Sequence, residues 1–262
     1  MAFSDFLSPV LLPLLEGVGP FVTIIIVSLF VSILTTIVYK YTTDQPKLRK
    51  IKADLKRHQK RAQALQKEDP KKAMEVQKEM MKLNGQVMKS SLKSTLYTFL
   101  PVILFFGWLS AYLSFAPLVP GTGFDLTVEL QNGVDGPVQL EIPEGILLAS
   151  NLTKTPSEGQ VSWRLTAETA GEYQVTVRHV QSEEEYDVPL AITDEQRQYS
   201  PLLTVDGVAL DSITVGYQKL QIFQGVPLLG AIPWVKNWGW LGAYILFSIG
   251  FSTLLRKLLK LA

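Results

Sequence analysis

Three stretches of this chain run without a charged residue for long enough to cross a bilayer. They are Phe21–Tyr39 (FVTIIIVSLFVSILTTIVY), Leu96–Ala116 (LYTFLPVILFFGWLSAYLSFA) and Trp238–Leu255 (WGWLGAYILFSIGFSTLL). A hydrocarbon core about 30 Å thick takes about 20 apolar residues in a helix. Inside it each backbone N–H and C=O needs a partner from its own segment, so the spans are expected to be helices. The first is not expected to be a cleaved leader. No Lys or Arg precedes it, and it ends at Lys40-Tyr41 rather than at small residues.

The net charge of +1 conceals a strong segregation. From Lys40 to Lys93 there are 16 Lys and Arg against 6 Asp and Glu, a net of +10. From Pro117 to Asn237 there are 6 against 16, a net of −10. Basic loops stay in the cytoplasm. The Lys40–Lys93 loop and the tail Arg256, Lys257, Lys260 are therefore expected inside the cell, and the acidic region and the N-terminus outside. Three spans in a multi-pass cell-membrane protein give the same N-out, C-in layout.

The chain has no cysteine, which excludes disulfides, thiolate metal sites and thiol nucleophiles. Its two histidines, His58 and His179, lie far apart in sequence. No span has an Asp, Glu, His or Lys near its middle, and no GxSxG, HExxH or Walker pattern occurs. An enzyme is not expected, nor a cofactor.

The loop between the first two spans reads as a helical hairpin. Leu48, Ile51, Leu55, His58, Ala62 and Leu65 recur at 3–4 spacing, as do Ala73, Val76, Met80, Leu83 and Val87. These are the seam positions of a short antiparallel coiled coil. Asp69-Pro70 supplies the break, an N-cap followed by proline in the first turn. Beyond the second span the period changes to two. FDLTVELQN, GPVQLEIP, GQVSWRLTAE, EYQVTVRHV and EYDVPLAI alternate apolar with polar residues and are separated by Gly, Pro, Asn and Asp. This pattern predicts an antiparallel β-sandwich. AGEYQVTV matches an immunoglobulin-type F strand, with Tyr173 at its tyrosine corner and Trp163 as a core residue. Glu183–Glu185 reads as a solvated hairpin turn, and Asn151-Leu152-Thr153 is a glycosylation sequon.

The expected fold class is thus an α-helical membrane protein with three transmembrane helices and a cytoplasmic antiparallel coiled-coil hairpin, plus an inserted extracytoplasmic immunoglobulin-like β-sandwich. The expected segments are an interfacial piece 1–20, spans 21–39, 96–116 and 238–255, the hairpin 40–95, the sandwich 117–225, an interfacial linker 226–237 and a basic tail 256–262.

Two features bear on function. Met74, Met81 and Met88 are seven residues apart, forming a stripe beside the seam position Met80. They either broaden a coiled-coil core or present an adaptable apolar surface to varied partners. Within the spans, Ser28, Ser32, Thr35 and Thr36 share much of one helical face. Tyr244, Ser248, Ser252 and Arg256 follow i, i+4 spacing, and Thr98 lies near the cytoplasmic start of the second span. Such groups either pack helices together or line a water-accessible groove.

MMKLNGQVMKSSLKSTLYTFLPVILFFGWL and WLGAYILFSIGFSTLLRKLLKL, together with the topology and the basic loop, resemble the Oxa/YidC/Alb insertase superfamily. The nearest likeness is to its archaeal YidC-like branch, relatives of the third subunit of the eukaryotic endoplasmic-reticulum membrane complex. The resemblance covers residues 15–116 and 226–262. It implies insertion of transmembrane segments without nucleotide hydrolysis. A Met-rich hairpin (Met74, Met80, Met81, Met88) would capture apolar segments, and a hydrophilic groove would pass them into the bilayer. Implied partners are nascent membrane-protein chains, the ribosome, a translocon or second small subunit, and anionic lipids. The first span lacks the groove arginine of bacterial YidC, leaving Lys40 or Arg256 as sources of positive charge. The alternative is a membrane-anchored immunoglobulin-like interaction or adhesion protein, for which three spans with polar faces are superfluous.

Because the chain has no native thiol, topology is directly testable. Lys60→Cys and Ser182→Cys, made singly, are expected to differ in intact cells: impermeant maleimide labels the second and spares the first. Labelling at residue 60 alone reverses the orientation.

Overall fold

A computed structural model describes residues 6–261. Four helices are present among them: α1 (Ser8–Thr42), α2 (Gln45–Glu68), α3 (Pro70–Leu113) and α4 (Trp240–Leu258). The strands are β1 (Gly123–Leu130), β2 (Val138–Glu141), β3 (Ile146–Leu148), β4 (Thr153–Lys154), β5 (Gln160–Ala167), β6 (Gly171–His179), β7 (Glu184–Ile192), β8 (Leu202–Thr204) and β9 (Leu210–Val215). The chain divides into two compact units, one helical and one built on the strands.

In the helical unit, α1, α4 and the Ser94–Leu113 part of α3 are each long and apolar enough to span a membrane. α1 starts at Ser8 and so takes in most of the stretch expected as a separate interfacial piece. Pro9 sits in its first turn, where no N–H is needed. The break falls at Gly19, whose φ of 78° suits glycine, and Pro20 disfavours helical geometry at the residue before it. At the other end, Asp44 accepts the Lys47 N–H at 3.1 Å and starts α2. Asp69 repeats the device: its Oδ1 accepts the Lys72 N–H at 3.2 Å, directly after its own N–H closes α2 on Leu65 O.

α2 and α3 bury Leu48 and Ile51 on one side and Ala73 and Val76 on the other. The remaining seam positions, Leu55, His58, Ala62, Leu65, Met80, Leu83 and Val87, are half-buried. The His58 ring lies 3.4 Å from the Glu79 carboxylate across the pair. α3 continues without interruption from this loop into its span. Its 44 residues reach about 66 Å at 1.5 Å each. Pro101 lies inside it and leaves the Tyr97 carbonyl without its usual i+4 donor.

The strand unit is a β-sandwich. One sheet has the order β3-β5-β1-β9-β8, the other β4-β2-β6-β7. All pairings between named strands are antiparallel. Both sheets turn their apolar positions into one core, where Phe124, Leu126, Leu140, Trp163, Leu165 and Leu190 are fully buried. Burying each such side chain contributes about 1.5–3 kcal/mol. The Trp163 indole also donates to Asn151 O at 3.1 Å, so its polar atom is satisfied. On the outer faces, directly opposed residues pair by charge or hydrogen bond: Asp125 with Arg164 at 2.9 Å, and Thr176 with Asp187 at 2.7 Å. Glu183 lies in the β6–β7 turn with φ 55°, whereas Glu184 and Glu185 begin β7.

Tyr173 anchors one end. Its hydroxyl donates to Thr169 O at 3.1 Å and lies 2.8 Å from the Thr169 hydroxyl. Gly145, at φ 91°, makes room, since a Cβ there would sit 3.1 Å from the Tyr173 oxygen. Nearby, the Tyr199 and Tyr217 rings meet at a tilt with centroids 5.0 Å apart, and burial pushes the Tyr217 phenol up to about 12, keeping it neutral. At the base a short ladder joins the chain entering and leaving the sandwich. Ala116 N donates to Gln218 O, and Leu220 N to Ser114 O. The Gln196 amide donates to both Tyr112 O and Phe115 O, at 2.6 and 2.7 Å, and so closes the C-terminal end of α3.

Residues 114–222 produced alone are expected to be β-rich. Tyr173→Phe should lower their unfolding free energy in urea by about 1 kcal/mol, the net worth of one hydrogen bond. An unchanged midpoint and slope would show that the hydroxyl anchors nothing.

Candidate functional site

The polar residues of the spans meet along the contact between α1 and α4. The Ser32 hydroxyl lies 3.4 Å from Ser248 O and 3.4 Å from the Ser252 hydroxyl. Phe21 meets Phe247 at 6.0 Å, and the Arg256 guanidinium lies over the Tyr39 ring at 4.9 Å. Residue numbers rise together along these pairs, so α1 and α4 run parallel. α3 packs antiparallel to α1, with Phe30 against Phe105 and Trp108 donating to Ser8 at 3.2 Å. It reaches α4 through Phe106 and Tyr244, edge to face at 4.9 Å.

Ser28, Ser32 and Thr36 are buried on α1, together with Thr23, which was missing from the sequence-derived set. Thr35 is half-buried and returns its hydroxyl to Ser32 O at 3.2 Å. On α4, Tyr244 is buried, Ser248 and Ser252 are half-buried and Arg256 is exposed. Thr98 bonds within α3, to Ser94 O and Thr95 O, and does not join the Ser32 cluster. Ser94, one turn before it, is buried. Intrahelical bonding of this kind satisfies a hydroxyl without any neighbour.

The seam is polar but weakly bound. Both Ser32 contacts are long for hydroxyl hydrogen bonds. The Ser28 hydroxyl oxygen is buried with no hydrogen-bond partner. Leaving such a group unpaired costs about 1–3 kcal/mol, unless the side chain rotates to a carbonyl of the preceding turn. Bonds between membrane helices contribute only about 0.6 kcal/mol on average. Small hydroxylated residues therefore bring α1 and α4 together without locking them. Near the C-terminal ends of α1 and α4, Arg256 is held against Tyr39 and Lys40 stays exposed. A second tie joins Arg49 of α2 to Lys260 O of the tail.

The methionines lie on the other candidate surface. Met74, Met81 and Met88 are 61, 72 and 63% exposed, while Met80 is half-buried on the seam. Spacing along α3 extends their stripe through Leu92, Leu96, Phe99 and Ile103, all exposed. One unbroken helix thus carries an apolar track from a basic loop into a span.

The family described as integral membrane protein EMC3/TMCO1-like matches residues 8–141, half of the chain. The chain belongs to that family. Through it the chain is part of the Oxa1/YidC/Alb3 insertase superfamily. The match takes in α1, α2, α3 and the first two strands, so the Met track and the α1 half of the polar seam fall within it. No curated protein and no solved structure matches the chain.

The geometry of the seam is open to a direct check. Ser32→Cys combined with Ser252→Cys is expected to form an intramolecular disulfide under mild oxidation in membranes. Ser32→Cys with Ile249→Cys is expected to form none, because Ile249 is exposed on α4. The reverse result would show a different register between α1 and α4.

Proposed function

We propose that this chain is a membrane protein insertase and chaperone that works without nucleotide hydrolysis. The observation that carries this reading is the exposed Met track on α3, which runs from the basic loop into a span within the insertase family match. Thioethers are unbranched and polarisable, so such a surface adapts to many apolar segments. The α2–α3 pair acts as a cytoplasmic antiparallel coiled-coil hairpin. It receives an apolar segment of a nascent chain at Met74, Met81 and Met88, with Met80 supporting them from the seam. The lysines around them keep the surface soluble and attract anionic lipid heads or ribosomal RNA.

The polar seam serves the next step. A segment entering the bilayer must carry its flanking polar residues across, at a cost of several kcal/mol for charges in hydrocarbon. Parting α1 from α4 would present Ser28, Ser32, Thr35, Thr36, Tyr244, Ser248 and Ser252 as a hydrophilic groove, with Thr98 at its entrance and Arg256 supplying positive charge. The loose Ser32 contacts and the unpaired Ser28 hydroxyl favour such opening. Most of α4 faces outward, which leaves it free to move and gives a translocon or a second small subunit a surface to bind. In this reading the N-terminus and the sandwich are extracytoplasmic.

The sandwich itself reads as immunoglobulin-like. β1, β5 and β3 take the places of strands B, E and D. β2, β4, β6 and β7 take those of C, C′, F and G, and β9 fills the place of strand A beside β1. The Tyr173–Thr169 hydrogen bond occupies the tyrosine-corner position.

The decisive experiment changes Met74, Met81 and Met88 together and follows photocrosslinking to stalled ribosome–nascent chains. Conversion to Gln is expected to retain helicity, because these side chains are exposed, and to abolish crosslinks. Conversion to Leu is expected to leave crosslinking intermediate or near normal. A helical Gln variant that still crosslinks rejects the capture role. A hairpin unfolded by the Gln changes would return the methionines to a structural role.

A further inference from the structure

We propose that Asn151 is an N-glycosylation site, with a saccharide joined through its side-chain amide. Asn151-Leu152-Thr153 is the one Asn-x-Ser/Thr sequence in the chain. Such a short pattern arises by chance in many proteins, and its place in the fold is what gives it weight. Asn151 lies in the irregular connection between β3 and β4, and its side chain, like that of Thr153, is exposed. Its carboxamide has no hydrogen-bond partner among the described residues. The backbone beneath it is fixed, by the Trp163 indole on Asn151 O and by Leu140 N donating to Leu152 O at 3.0 Å. A bulky group on this side chain thus projects into solvent without disturbing the core.

The location also explains what a saccharide would do. β3 and β4 are the outermost strands of the two sheets on the same side of the sandwich, and they are only three and two residues long. The connection holding Asn151 crosses from one sheet to the other between these edges. Leu147 on β3 and Leu152 inside the sequon are both exposed. Edge strands this short already offer other chains little to pair with, which leaves the two exposed leucines as the apolar surface to be covered. A hydrated saccharide at Asn151 covers both edges and both leucines at once.

The transfer uses an oligosaccharide carried on a lipid phosphate and a membrane-bound transferase acting outside the cytoplasm. The Asn151 amide nitrogen forms a bond to the anomeric carbon as the bond from that carbon to the phosphate oxygen breaks. The amide proton passes to a base of the transferase, and the lipid phosphate leaves. No oxidation or reduction is involved.

The inference rests on the proposed outward orientation of the sandwich, so the test separates the two. The full chain is produced in a host that attaches N-glycans, and its intact and peptide masses are measured. Wild type is expected to carry a saccharide mass on the peptide containing Asn151. Asn151→Gln and Thr153→Val are expected to lose it entirely, and Thr153→Ser to retain it. Val134→Thr completes a second sequon at Asn132 on the same unit, and Gln86→Thr completes one at Asn84 on α3. An unmodified wild-type chain overturns the proposal. In that event, modification at Asn132 would leave the orientation standing and reject Asn151 alone. Modification at Asn84, or at neither control, would count against the orientation as well. A saccharide mass that survives in Asn151→Gln also overturns the assignment.

Discussion

A peptide group in hydrocarbon has no solvent to bond to, and the helical unit is organised around that constraint. It makes α1, α4 and the span of α3 helical, and it turns the hydroxyls of Thr35, Thr42 and Thr98 back onto carbonyls of their own helices. Departures from full satisfaction are therefore informative. Pro101 releases the Tyr97 carbonyl, and Ser28 keeps a buried hydroxyl without a partner. A helix contact built on such residues has little holding it shut.

The same helix that carries the Met track also crosses the membrane. Leu92, Leu96 and Phe99 continue the apolar stripe of the methionines along this helix, into the Ser94–Leu113 part that is apolar enough to span. Basic residues flank this track, whereas the spans themselves are free of charge until Arg256.

Local chemistry made part of this structure legible in advance. Asp69-Pro70 marks the start of α3 because capping depends on neighbours in sequence. β1, β2, β5, β6 and β7 showed as alternation, with one face wet and one dry. β3, β4 and β8 are too short to display a period of two. β9 buries Leu210, Ser212, Ile213 and Val215, so two neighbouring residues are dry and its alternation is blurred. Residues 1–20 read as a separate interfacial piece; within Ser8–Thr42 the interruption falls at Gly19, which leaves helical geometry. Spacing placed Met74, Met81 and Met88 in one stripe but left open whether it was covered. It likewise gathered Ser28, Ser32 and Thr36 on a face without naming Ser248 and Ser252 as their neighbours, since that contact joins residues more than 200 apart in sequence.

The pairing of β1 with β9 brings the first and last strands of the sandwich side by side, above the short ladder of residues 114–116 with 218–220. Mechanically, such a domain hangs from a two-stranded stem. Pulling its two ends apart loads the stem first, by peeling one short hydrogen bond after another, and the apolar core bears force only once the stem has opened. Genetically, the stem makes the sandwich a cassette. It can be enlarged, exchanged or deleted between its two attachment points while their separation stays that of neighbouring strands, about 5 Å.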